Sequence, residues 1–220
     1  MESGRSVYFW VQMLIMSLSI PTRPARTFLK ESFQVNNWSD LKPYFDALLE
    51  RPLTSAEELK AWLRDRSELE SAISEDLGWR YIKMTCYTED KVLGDRYTDF
   101  IQHIQPEIAP VSDALNKKAA ACPFLATLAK EEGYDIMTRN LKKDIELFRE
   151  ENIPLFTEIN TESQKYAQLS GAMTVEWKGQ ELTLQQASVM LQETDRALRE
   201  EVYHKITDRR LKDKELMDEL

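Results

Sequence analysis

The stretch "TSAEELKAWLRDRSELESAISEDLGWRYIKMTCYT", residues 54–88, constrains the fold more than any other part of the chain. Leu59, Trp62, Leu63, Leu69, Ile73, Leu77, Tyr81 and Met84 recur at helical spacing over about eight turns, far longer than any strand. Ser55 followed three residues later by Glu58 has the form of a capping box, which places the helix start. A helix of that length with one apolar stripe must be covered by other helices, so the fold is expected to be built on helix packing.

The flanking segments supply those partners. "NWSDLKPYFDALLER" reads as a helix after an Asn37/Ser39 cap region, with Leu41, Tyr44, Phe45 and Leu48 on one face and Pro43 tolerated in the first turn. The segment from Thr88 to Cys122 repeats the pattern, with Pro106 and Pro110 expected to kink or split it. "PFLATLAKEEG" reads as a short helix closed by Gly133. The next helix is expected to carry Ile136, Leu141, Ile145 and Phe148 inward, and a further one is capped by Asn152 with Gly171 near its end. From Thr194/Asp195 a last helix places Leu198, Val202, Ile206, Leu211 and Leu216 on one stripe.

One stretch departs from this rhythm. In "GAMTVEWKGQELTLQQA", Val175, Trp177 and Leu182 alternate with polar residues around Lys178-Gly179, which suits two short strands and a tight turn, and Thr183 can cap the helix after them. The expected fold class is therefore mainly α, an elongated multi-helix assembly with one small β-hairpin near residues 173–182. The expected divisions are a non-core extension over 1–21, a long-helix region over 22–122 and a helical region with the hairpin over 123–220.

Composition narrows the partners. A net charge of −9 argues against nucleic acid, because phosphate binding needs a clustered positive surface. Cys86 and Cys122 lie on separate expected helices without motif spacing, which favours buried thiols in a reducing cytoplasm over a bridge. The apolar run Val7–Ile20 would rise about 21 Å as a helix, short of a roughly 30 Å hydrocarbon core, so no membrane span is expected. A signal-like segment, or an over-long start with the natural first residue at Met16, both fit it.

A search for chemistry returns little. No glycine-rich phosphate loop, G-x-S-x-G elbow, C-x-x-C pair or H-E-x-x-H helix occurs. His103 stands four residues before Glu107 with Pro106 between them, and His204 four residues after Glu200; two histidines do not close a zinc site. Glu150 and Glu151 are adjacent, so on a helix they point apart. No catalytic, cofactor-binding or metal-ligating residue is assigned. Among the aromatics of the long helical region, which also include Tyr87, Trp62 and Tyr81 fit the core stripe, Trp79 falls off it towards a neighbouring helix or a missing domain, and Trp177 is a packing anchor for the hairpin.

"NIPLFTEINTESQKYAQLSGAMTVEWKGQELTLQQASVMLQETDRALREEVYHKI" resembles the amino-terminal part of oligoendopeptidase F and its relatives, the thimet-oligopeptidase-like zinc metallopeptidases. The likeness lies in the order of features: a long helix, the hairpin with "WKGQELTL", a short helix, and "TDRALREEVY" opening the next. "RTFLKESFQVNNWSDLKPYFDALLERPL" also looks like the start of the bacterial members, so the resemblance covers about residues 22–220.

The resemblance implies a mostly helical, elongated cytoplasmic enzyme whose deep channel admits oligopeptides. Its chemistry would use zinc, an H-E-x-x-H helix, a third glutamate ligand and the motif's glutamate as general base. No position here matches that motif, so this chain is expected to form the front, channel-lining portion, inactive alone and partnered by a C-terminal catalytic domain. The final helix pattern shows no stop signal, and the expectation is that coding continues past it, leaving an exposed apolar face from Leu198 to Leu216. In that setting the hairpin braces helices or offers an edge to extended peptide. A free-standing helical interaction module is the alternative.

Overall fold

The computed structural model describes residues 25–219. Helices α1 (Trp38–Glu50), α2 (Ala56–Cys86) and α3 (Lys91–Asp99) lead through a π-helical turn, Phe100–Ile104, into α4 (Gln105–Ala121). Next come α5 (Leu125–Leu128), α6 (Tyr134–Leu147) and α7 (Asn152–Gly171). Strands β1 (Thr174–Trp177) and β2 (Gln180–Thr183) precede α8 (Leu184–Val189), a 3₁₀ turn (Met190–Gln192), α9 (Arg196–Lys212) and α10 (Lys214–Glu219). The run Val7–Ile20 lies outside the described residues. No helix among those described is long and apolar enough to cross a membrane.

The long stripe of α2 becomes the centre of the main core. Leu59, Trp62, Leu69, Ala72 and Ile73 pack with Leu41, Phe45 and Leu48 of α1, Phe100, Ile101 and Ile104 of the π-turn, Leu115 of α4 and Leu128 of α5. Trp62 is fully buried, and its ring N–H is satisfied by the Leu48 carbonyl at 2.8 Å. The carbonyls at the end of α1 are gathered by Lys118, whose ammonium donates to Leu48, Leu49 and Arg51 at 2.9, 2.6 and 2.5 Å. Burial, with Arg51 nearby, holds that ammonium below the ordinary lysine range.

Local chemistry sets the helix ends. The Ser55 hydroxyl accepts from the Glu58 N–H at 3.1 Å. The Glu58 carboxylate reaches mainly one residue further back than a standard box, to the N–H and hydroxyl of Thr54 at 2.6 and 2.7 Å, and those bonds lower its pKa. The Asp40 carboxylate takes the Asn36 and Asn37 N–H groups before α1. The expected break near Pro106 takes the form of the π-turn: Gln105 N–H bonds the Phe100 carbonyl, five residues back, and the helix resumes with Pro106 in its first turn and Pro110 inside it.

The hairpin pairs Val175 with Leu182 and Trp177 with Gln180. Lys178 and Gly179 have φ of 50° and 81°, the two positive values of a type I′ turn. The hairpin is covered as its size requires: Met173, Val175, Leu184, Ala187, Val202 and Ile206 form a second, smaller core, with Trp177, Leu182 and Leu198 against it. Thr183 caps α8 through the Gln186 N–H, and Asp195 caps α9 through the N–H groups of Ala197 and Leu198.

Several expectations are corrected. Tyr81 is 48% exposed, because the far third of α2 leaves the main core and Tyr81 meets only the margin of α3, at Tyr97. Ile136 is 51% exposed, since Thr138 and Leu141 are the α6 side chains that turn inward. Gly133 does not close the short helix, which ends at Leu128; with φ of 82° it instead turns the chain into α6. Phe148 sits just past the end of α6, and Asn152 is the first residue of α7 while Glu151 precedes it. Cys86 is exposed on the last turn of α2, and Cys122 alone is buried. The stripe from Leu198 to Leu216 divides: Val202 and Ile206 are buried in the second core, and Leu211 and Leu216 are exposed.

Candidate functional site

The residues singled out in the sequence do not converge. His103, on the π-turn, places Nδ1 2.9 Å from Asp99, one turn back, rather than facing Glu107. His204 lies on α9 with its ring edge-on to Tyr203 at 5.7 Å. Glu150 and Glu151 are exposed in the turn just before α7. Among the described residues no three His, Cys, Asp or Glu side chains are grouped to hold a metal ion.

What the fold does assemble is a groove of about 1050 Å³ between the loop at residues 33–36, α2 and α3. Its walls combine Trp79, Val92 and Leu93 with basic Arg26, Lys83 and Arg96 and acidic Asp76, Asp95 and Asp99. Trp79 is 54% exposed: the position that falls off the α2 stripe becomes an open aromatic wall.

Arg80 braces the groove. Its Nε meets Asp76 at 2.6 Å, its terminal nitrogens donate to the carbonyls of Arg96 at 2.9 Å and Val35 at 2.5 Å, and its guanidinium lies 5.4 Å from the Phe100 ring centre. One side chain thus ties the loop, α2, α3 and the π-turn together. The loop is fixed again at its start, where the Glu68 carboxylate accepts from the N–H groups of Thr27, Phe28 and Leu29 and from the Thr27 hydroxyl. Burial opposes ionisation of Glu68, but those donors outweigh it and lower the pKa.

The groove thus combines an open aromatic face, apolar side chains and charges of both signs on a braced wall. Among the described residues that line the groove there is no Ser, Thr or Cys. Sequence reasoning identifies Trp79 as displaced from the core but not the groove, because the loop at residues 33–36 stands well over thirty residues before the α2 and α3 walls it meets.

The family model described as "Peptidase M3 N-terminal domain" matches residues 28–148. Three solved structures share the fold, each at 18% identity and a TM-score of 0.76. One is described as an oligoendopeptidase F from Bacillus anthracis, with 89% of this chain and 36% of that one covered. Another, also described as an oligoendopeptidase F, is covered over 34% of its length, and PZ peptidase A with an inhibitor likewise over 34%. The chain spans about a third of the length of the solved structures it matches. No curated protein matches it.

Proposed function

The chain belongs to the peptidase M3 N-terminal domain family, and from that premise we propose that it serves as the front, channel-forming portion of an oligopeptide-hydrolysing enzyme. The observation that carries this reading is the pairing of a family match over residues 28–148 with a fold shared by relatives about three times as long. Hydrolysis is assigned to a carboxy-terminal portion, where zinc would polarise the scissile carbonyl and activate water. The residues of this chain bind and orient. The Trp79 face stacks against a substrate side chain, while Lys83 and Arg96, opposed by Asp95 and Asp99, select among charged ones. Arg80 keeps the wall rigid, so that its contacts are formed before the peptide arrives. A cytoplasmic setting is part of the same proposal.

The test is hydrolysis of an internally quenched oligopeptide by the purified 220-residue chain, with and without added zinc. No turnover is expected in either condition, and the Trp79→Ala variant should bind the same peptide more weakly than the parent. Zinc-dependent turnover abolished by a chelator would contradict the proposal.

A further inference from the structure

Helix α7 is built the wrong way round for a helix whose partners all lie within this chain. Over its 20 residues the only buried side chain is Gln164, a polar one. The side facing α2 and α3 is polar: the Gln164 amide donates to the Met84 sulfur at 3.3 Å and accepts from the Thr98 hydroxyl at 3.0 Å. Thr157 and Thr161 on the same side return their hydroxyls to carbonyls one turn back. The opposite side is apolar: Leu155 is 54%, Phe156 60%, Ile159 58% and Tyr166 44% exposed, and Leu169 alone, at the end of the helix, is packed against the hairpin core. Leu155, Ile159 and Tyr166 align along one helix face, with Phe156 at its flank. Glu162, which lies between Ile159 and Tyr166 on that face, is neutralised by Lys165 at 2.6 Å.

We infer that this outward face of α7 is the seat of the carboxy-terminal portion of the M3 peptidase, so that the helix becomes a core element only when the two portions meet. The inference rests on the proposed front-portion role and adds to it the surface through which the portions join. Size bears on the occupant. The exposed parts of four such side chains amount to roughly 400 Å², so a symmetric pair of chains meeting through this face alone would bury about 800 Å², below the 1,000 Å² or so a specific interface needs. A larger partner that also covers neighbouring surface meets that requirement. The solved relatives have chain enough to supply one: about two-thirds of each of their chains lies outside the fold shared with this one, and the shared fold takes in 88–89% of this chain.

The probe is the separately produced portion of the Bacillus anthracis oligoendopeptidase F that lies beyond the matched third, with that protein's own front third as positive control. Binding of the 220-residue chain is followed by biolayer interferometry, and its mass alone by sedimentation. The parent chain should bind, the Phe156→Glu/Ile159→Glu variant should bind about tenfold or more weakly, and Ile136→Glu, an equally exposed site on α6, should stay within about twofold. Urea midpoints establish that the variants are folded; if the double variant is not, Ile159→Asp alone carries the same expectation. Binding that ignores the α7 substitutions overturns the seat while leaving the front-portion role intact. Failure of the parent to bind a probe that binds its own front third overturns both. Self-association of the chain that the α7 substitutions abolish assigns the face to a second copy and overturns the inference.

Discussion

Helices α1 and α7 solve opposite problems. Over 13 residues α1 turns Leu41, Phe45 and Leu48 inward against α2 and α4, whereas α7, with 20 residues, turns a glutamine inward and four large apolar or aromatic side chains outward. An amphipathic stripe marks where a helix's partner lies, and it does not say that the partner is on the same polypeptide. In α1 the stripe and the fold agree. In α7 the one buried contact is made by hydrogen bonds through Gln164, and the apolar stripe is left open from Leu155 to Tyr166, with Leu169 at its end packed against the hairpin core, which is the arrangement of an element that stands between two bodies.

Substitutions can break or sharpen that contrast. The largest effect is expected at Trp62→Ala, which removes a fully buried ring and one of the two donors to the Leu48 carbonyl; a loss of about 3–5 kcal/mol in urea denaturation is predicted. Gln164→Ala should cost about 1–3 kcal/mol, because it removes the bonds that hold α7 to Thr98 and Met84; an unchanged urea midpoint would mean that α7 is held by something other than its polar face. Gly179→Ala places a side chain at φ of 81° and should cost about 1 kcal/mol in the same measurement, confined to the hairpin and its smaller core. The smallest change is expected at Ile159→Ser, within about 0.5 kcal/mol of the parent, since the side chain is mostly in water already. An Ile159→Ser loss as large as that of Trp62→Ala would erase the distinction between the two helices.

Acid exposes a further difference, this time at the groove. The folded-state pKa of Glu68 lies below the ordinary value of 4.5, so its contribution is fully present above that value and is lost as the pH falls through the depressed folded pKa. Glu68→Gln should therefore lower stability near neutrality and flatten its decline in acid. Equal acid slopes for parent and variant in pH-dependent denaturation would remove Glu68 as the clasp of the Thr27–Leu29 turn.

The parts legible in the sequence are those written locally. The α2 stripe, the Ser55, Thr183 and Asp195 caps and the Lys178-Gly179 turn each depend on residues within a few positions of one another, and each is found where its chemistry places it. Position along a helix is harder to read. Tyr81 continues the stripe in register and is nevertheless exposed, because the helices covering Trp62 do not extend along the whole of α2. Gly133 reads as a stop because a glycine after a helix usually is one, yet a left-handed glycine serves equally well to begin a turn into the next helix. The groove is not legible at all: Trp79, the loop at residues 33–36 and α3 are brought together by Arg80, whose four partners lie on four different segments. The reversed orientation of α7 is hidden for a related reason. Leu155, Ile159 and Tyr166 announce a stripe, and only the tertiary contacts of Gln164 reveal which way it points.

The most direct measurement is hydroxyl-radical footprinting of the 220-residue chain, alone and in the presence of the carboxy-terminal portion of the Bacillus anthracis relative. Alone, Leu155, Phe156, Ile159 and Tyr166 should be labelled while Leu41 and Phe45 stay dark. With the second portion bound, the four α7 side chains should become protected. Labelling of α7 that does not change on binding would contradict the account.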